Sequence, residues 1–165
     1  MKKVYFTDKD IDGFVLEIVR QVINSAWKPD YIVGLTRGGL IPAVKISHYL
    51  GVPLETLKVS FRDNGTCESN TWMAEEAFNG KKMLFIDDIN DSGATLNWIK
   101  NDWQSSCPNT EDTNWETIWH DRVRFATLVH NENSEFDVDY HSHSINKLDE
   151  NVWIVFPWEN WWRNA

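Results

Sequence analysis

Cysteine is scarce in this chain: two residues in 165, Cys67 and Cys107, both in polar stretches and without paired spacing. That excludes a dense disulfide framework and a cysteine-built zinc site, and leaves free thiols in a reducing compartment as the expectation. Positive charge is also short. There are 16 Lys and Arg against 25 Asp and Glu, a net charge of −9, which argues against nonspecific binding to nucleic acid or to an anionic membrane. A small anion held by local backbone donors and a metal stays compatible with that balance. No stretch approaches transmembrane length, and the opening MKKVYFTDKDIDGF carries no apolar run long enough for a signal peptide, so the location reads as cytoplasmic. Neither an internal repeat nor a linker divides the sequence. One domain over residues 1–165 is expected, and 42% hydrophobic content is enough for a sizeable core.

Aromatic residues are not scarce. Ten tryptophans read mostly as core and surface anchors, and the C-terminal cluster Trp153, Trp158, Trp161 and Trp162 is where an exception would lie. Ile11, Phe14, Val15, Ile18, Val19, Val22 and Ile23 keep helical spacing over 11–26. Residues 31–35 read as a buried strand, 36–39 as a turn, and 40–50 as a helix with Pro42 in its first turn and Gly51 closing it. Further strands are expected at 54–61, 83–86, 123–129 and 152–156, and a helix at 94–103. The polar stretch around 62–72 reads as a mobile loop, and 104–121 as an irregular insertion in which Trp115, Ile118 and Trp119 share one helical face for packing. His141 and His143 sit in a polar segment that reads as a solvated loop. Alternation of strands and helices predicts an α/β domain with a mostly parallel central sheet flanked by helices. Ligands of such sheets bind beyond the carboxyl ends of the strands, where the turns 36–39 and 90–94 both fall.

The segment MLFIDDINDSGATLNWI, residues 83–99, carries the chemistry. In Asp91-Ser92-Gly93-Ala94-Thr95 the first N–H groups of a helix have no intrahelical partner, the helix dipole adds partial positive charge, and Gly93 allows close approach. The loop is therefore a phosphate cradle by mechanism, although taken alone a helix capped by Asp91 or Ser92 is the commoner explanation and needs no ligand. Asp87 and Asp88 are more than a cap requires. Adjacent carboxylates repel unless something lies between them, and the candidates are a diol, whose hydroxyls donate, or Mg²⁺, which prefers oxygen ligands. A phosphate cradle beside a diol reader describes a ribose 5-phosphate site.

LFIDDINDSGATL closely resembles the signature of type I phosphoribosyltransferases. GLTRGGLIPAVKISHYLGVP resembles their diphosphate-loop segment, and WIVFPWE resembles the C-terminal Trp-Ile-x-x-Pro-Trp-Asp of the xanthine-guanine and hypoxanthine enzymes. The resemblance implies transfer of 5-phosphoribosyl from phosphoribosyl diphosphate to a purine, with Mg²⁺ as cofactor and a homodimer or homotetramer as the assembly. It also implies a small hood contributed mainly by residues 1–10 and 131–165. By that likeness Asp87 and Asp88 accept from the ribose hydroxyls, with Asp88 near the metal. Asp91, Ser92, Gly93, Ala94 and Thr95 hold the 5-phosphate, and Thr36, Arg37, Gly38 and Gly39 bind diphosphate, the 36–37 peptide being often cis in relatives. Asp91 also becomes the general base toward the imidazole edge of the purine. Trp153 stacks on the base, the Ile154 backbone contacts its edge, and Glu159 lies near the exocyclic position. The likeness makes 62–72 a loop that closes over the site.

Two positions depart from the pattern. Asn131 stands where the 6-oxopurine enzymes carry a lysine, with His130 and Asn133 as neighbours, which leaves the choice of base open because an amide both donates and accepts. Ser60-Phe61 replaces a Ser-Tyr pair at the start of the closing loop. A phosphoribosyl-diphosphate-binding regulator of the same fold, without catalysis, is the alternative reading.

Overall fold

Apolar runs that bury both faces of a strand, separated by amphipathic helices, leave a three-layer arrangement as the way to cover every apolar surface. The computed structural model describes residues 1–59, 67 and 70–164, and it has that arrangement. Strands β2 (Tyr31–Thr36), β3 (Leu54–Lys58), β4 (Met83–Asn90), β5 (Val123–Asn131) and β6 (Tyr140–Ile145) form a five-stranded sheet in the order β3-β2-β4-β5-β6. All its pairings are parallel. A separate parallel pair joins β1 (Lys2–Tyr5) to β7 (Val152–Val155).

Side chains of a strand point alternately to opposite faces, and the core divides accordingly. Tyr31, Val33, Leu35, Met83, Phe85, Val123 and Phe125 face one layer, built with helices α3 (Thr71–Phe78), α4 (Ala94–Ser106) and the single turn α5 (Trp115–Ile118). Ile32, Leu84, Ile86, Ala126 and Leu128 face the other, against α1 (Asp8–Asn24) and α2 (Leu40–Leu50). Trp103, Trp115 and Trp119 are buried and packed ring to ring, with centroids 4.8 to 6.1 Å apart. Their part is packing. Among the described residues no helix is long and apolar enough to cross a membrane.

Several boundaries differ from the sequence expectation. Helix α1 starts at Asp8 because Thr7 caps it: the Thr7 hydroxyl accepts from Asp10 N at 3.1 Å and the Asp10 carboxylate accepts from Thr7 N at 2.8 Å, a reciprocal capping box. Strand β4 does not end at Ile86. Its ladder with β5 continues through Asp87↔Thr127, Ile89↔Val129 and Asn90↔His130, so the acid pair lies inside a strand rather than at its exit. The segment 104–121 is partly helical, through the end of α4 and the turn α5. His141 and His143 lie in β6 rather than in a loop, with His143 packed 5.4 Å from Phe6. Of the expected mobile loop, Thr71 and Trp72 already belong to α3. Its remaining positions lie mostly outside the described residues, as do Ser60 and Phe61.

Candidate functional site

Parallel strands place their carboxyl ends along one edge, and the two turns after β2 and β4 meet there. The meeting is close. A Cβ on Gly38 would overlap the Asp88 carboxylate, and one on Gly39 would overlap the Ile86 carbonyl oxygen while lying 2.8 Å from the Leu35 oxygen and 2.9 Å from the Asp87 Cα. Only glycine lets the 36–39 turn sit flat on the acid-bearing strand. The Thr36–Arg37 peptide is cis. Behind the turn, Gly34 also brings α2 close, since a Cβ there would stand 2.8 Å from that of Ala43.

A cleft of about 950 Å³ opens over this edge. Thr36, Arg37 and Gly38 form one wall, the continuous run from Asp87 to Thr95 the floor, and Trp153 with Glu159 the far side. Asp87 and Asp88 are half-buried. Each carboxylate accepts from the next backbone N–H, Asp88 N to Asp87 Oδ1 at 2.9 Å and Ile89 N to Asp88 Oδ1 at 2.7 Å. Carboxylate oxygens are the donor type that a hard divalent cation or a sugar diol takes.

The cradle itself is held from behind. Gly93 has φ +90° at the N-cap of α4, a backbone region that side chains disfavour, and a Cβ there would stand 2.8 Å from Phe136 N and 2.9 Å from Ser134 Oγ. Buried Asn90 fixes that supporting loop: its amide donates to the Phe136 oxygen at 2.6 Å, and Ser134 Oγ donates to its Oδ1 at 2.9 Å. The Asn90 amide also lies 3.1 Å from His130 Nδ1. Burial, and then the neighbouring His141, hold His130 below the usual histidine pKa, which keeps the ring neutral and Nδ1 able to accept. In front, the Ala94 N–H donates to Ser92 Oγ at 3.2 Å, and the first turn of α4, whose N–H groups have no intrahelical partner, lines the cleft.

Asp91 stands at the junction of cradle and far wall. Its Oδ2 pairs with Lys147 Nζ at 2.7 Å, and the Asn131 amide donates to its backbone oxygen at 3.1 Å and to Oδ1 at 3.3 Å. Asn131 is buried behind Asp91 and away from the cleft lining, so its side chain reaches the site through that acid. Ile154 is buried too, and Gly39 lies beneath the lining residues. Trp153 is 38% exposed between buried Val152 and Ile154, so strand alternation turns its ring away from the core. Three of the four C-terminal tryptophans, Trp153, Trp158 and Trp162, line the cleft.

Sequence reasoning missed Lys147. It carries no periodicity or motif, and only the fold of the β6–β7 connection brings it to Asp91. Trp158, 5.0 Å from Phe156 in a parallel stack, was visible as part of the aromatic cluster.

The family model of the phosphoribosyl transferase domain matches residues 8–161. The chain is 28% identical over 149 residues to the xanthine-guanine phosphoribosyltransferase of Cereibacter sphaeroides, an alignment covering 82% of this chain and 71% of that protein. The crystal structure of a purine phosphoribosyltransferase from Pyrococcus horikoshii superposes with a TM-score of 0.70 at 27% identity, covering 97% of this chain and 96% of that one. The Helicobacter pylori xanthine-guanine-hypoxanthine phosphoribosyltransferase gives the same TM-score at 18% identity, over 98% and 97% of the two chains, a likeness of fold.

Proposed function

The chain belongs to the phosphoribosyl transferase domain family, and from that premise we propose that it transfers the 5-phosphoribosyl group of phosphoribosyl diphosphate to a purine base, releasing diphosphate. The observation that carries the proposal is one cleft lined together by an acid pair, a helix-start phosphate cradle, a glycine turn and an outward-facing tryptophan. Relatives named as xanthine-guanine and purine phosphoribosyltransferases support it.

The roles follow from chemistry. Asp87 and Asp88 accept from the ribose 2- and 3-hydroxyls. The N–H groups of residues 91–95, with the Ser92 and Thr95 hydroxyls, hold the 5-phosphate. The 36–39 turn and the Arg37 guanidinium hold the diphosphate. A net charge of −9 gives no bulk attraction for such a polyanion, so binding rests on these local donors. Mg²⁺, held by Asp88 together with substrate oxygens, would neutralise charge on the departing diphosphate. Arg37 and the turn amides stabilise that same charge as the C1–oxygen bond lengthens. Trp153 stacks on the purine, the Ile154 backbone and Glu159 contact its edge, and Asp91 accepts a proton from the imidazole side as a ring nitrogen bonds to C1.

The same reading takes residues 1–165 as one domain with a hood contributed mainly by residues 1–10 and 131–165, acting in the cytoplasm as a homodimer or homotetramer. The assay is diphosphate release from phosphoribosyl diphosphate and Mg²⁺ with adenine, hypoxanthine, guanine, xanthine or uracil offered separately. Release with a purine is expected, falling at least roughly 100-fold in Asp91→Asn, the lower end of what a positioned general base contributes. Silence with every base, despite binding of phosphoribosyl diphosphate, would replace the enzyme with a binding regulator.

A further inference from the structure

Lys147 occupies a position that its exposure alone does not explain. Its ammonium is 2.7 Å from Asp91 Oδ2 and 5.9 Å from the centre of the Trp153 ring. The acid and the aromatic are the two groups that the transferase reading places against the base, and the lysine ammonium stands over the ring and against the acid, just behind the residues that line the cleft. It is held there rather than drifting in solvent. Its side chain is 27% exposed, and its backbone N–H donates to Asn131 Oδ1 at 3.3 Å. The amide of the same Asn131 donates to Asp91. One buried asparagine therefore fixes both ends of the Lys147–Asp91 pair.

We infer that Lys147 is the residue that selects the base, donating to an exocyclic carbonyl oxygen of a 6-oxopurine while keeping its contact with Asp91; this rests on the transferase reading above. An ammonium has three donors and no acceptor. It can serve a carboxylate and a carbonyl at once, and it has nothing to offer the exocyclic amine of adenine, itself a donor. Asn131 cannot make that choice, because its amide nitrogen is turned to Asp91 and its oxygen accepts from Asn133 N and Lys147 N, each at 3.3 Å. Asn131 is thus a positioning residue, and the discriminating charge comes from the β6–β7 connection.

The test compares wild type, Lys147→Met and Lys147→Arg, with two readouts. The first is kcat/KM on hypoxanthine, guanine and adenine. The second is calorimetric binding of inosine and adenosine 5′-monophosphates, which needs no turnover. In Lys147→Met, hypoxanthine and guanine efficiency and inosine monophosphate affinity should fall about 10- to 100-fold, the range for losing a charge-assisted hydrogen bond. Adenosine monophosphate affinity should change less than about twofold, and Lys147→Arg, which keeps N–H donors and no acceptor, should restore part of the loss. Equal losses for oxo and amino ligands would overturn the inference and reduce Lys147 to a support for Asp91. No loss for either would make it a bystander. Should wild type neither turn over any base nor bind either nucleotide, the transferase reading itself fails, an outcome distinct from both.

Discussion

Replacing Gly39 by alanine isolates the contact that seats the 36–39 turn on the acid-bearing strand β4. Gly39 has φ −83° and ψ −9°, a conformation any residue adopts, so alanine adds steric overlap and no dihedral penalty. The added methyl would meet three backbone atoms, the Ile86 oxygen, the Leu35 oxygen and the Asp87 Cα, none of which can rotate away. Relief requires the turn to move off β4, and overpacking of this kind costs about 1–3 kcal/mol. A domain of this length melts about 2–4 °C lower per kcal/mol, so a fall of roughly 2–12 °C is expected. Gly13→Ala is the matched control. Nothing lies within 4 Å of its Cβ position inside α1, and removing a helix-interior glycine should stabilise by about 0.5–1 kcal/mol. Urea titrations with a common slope measure both. A Gly39→Ala protein as stable as its parent would show that the turn is not seated on the strand as described. A change of slope would instead indicate that the denatured ensemble had moved. Displacement of the turn should also weaken phosphoribosyl diphosphate binding, which calorimetry reads separately.

Two further outcomes follow from a half-buried histidine and a buried tryptophan. His130 has a folded-state pKa below the ordinary value of about 6.5, so the unfolded chain takes up the proton first as pH falls. The neutral ring therefore contributes stability that is complete above about pH 6.5 and is lost as pH falls through the lower folded pKa. The stability gap between wild type and His130→Asn should narrow from pH 7.5 to 5.5, and a gap constant across that range would refute the argument. Trp115 is 2% exposed, stacked 4.8 Å from Trp119, and donates its indole N–H to the Cys107 oxygen at 2.5 Å. Trp115→Ala should lose about 3–5 kcal/mol in denaturant titration, whereas Trp161→Ala, at 62% exposure, should stay within about 0.5 kcal/mol. Equal losses would mean that the tryptophan layer is not the core of its face.

How much of this was legible in the sequence depended on whether a local pattern existed. Strand β2, helix α2 and the start of β4 are apolar runs bounded by Gly or Pro, and their places follow from periodicity. The acid pair and the 91–95 loop stood out because chemistry, not packing, accounts for their composition. Strand β6, YHSHSI, has no apolar alternation and reads as strand only through its pairing with β5. Strand β1, KKVY, is mostly exposed and is strand only because β7 lies beside it. Helix α3 is two turns long and has no side-chain cap, leaving little to signal its start. The continuation of β4 through Asn90 defeats a hydropathy reading, because its last four residues include two carboxylates and an amide held by a ladder to β5. Lys147 shows the limit most plainly: its partner Asp91 is 56 positions away, and no local rule links them.

The pairing of β1 with β7 has a consequence for when each half of the cleft exists. The cradle and the glycine turn depend on the five-stranded sheet, whose pairings close over modest stretches of chain. The tryptophan wall depends on Lys2 meeting Val152, the most distant pairing in the molecule and one shared by only two four-residue strands. Loop closure makes such a contact late to form, and its small size makes it the first to let go. The half of the cleft built on the five-stranded sheet should therefore persist through openings that dissolve the tryptophan half. In amide hydrogen exchange, Val152–Val155 should lose protection ahead of Met83–Asn90, and equal protection would show that the whole cleft opens as one unit.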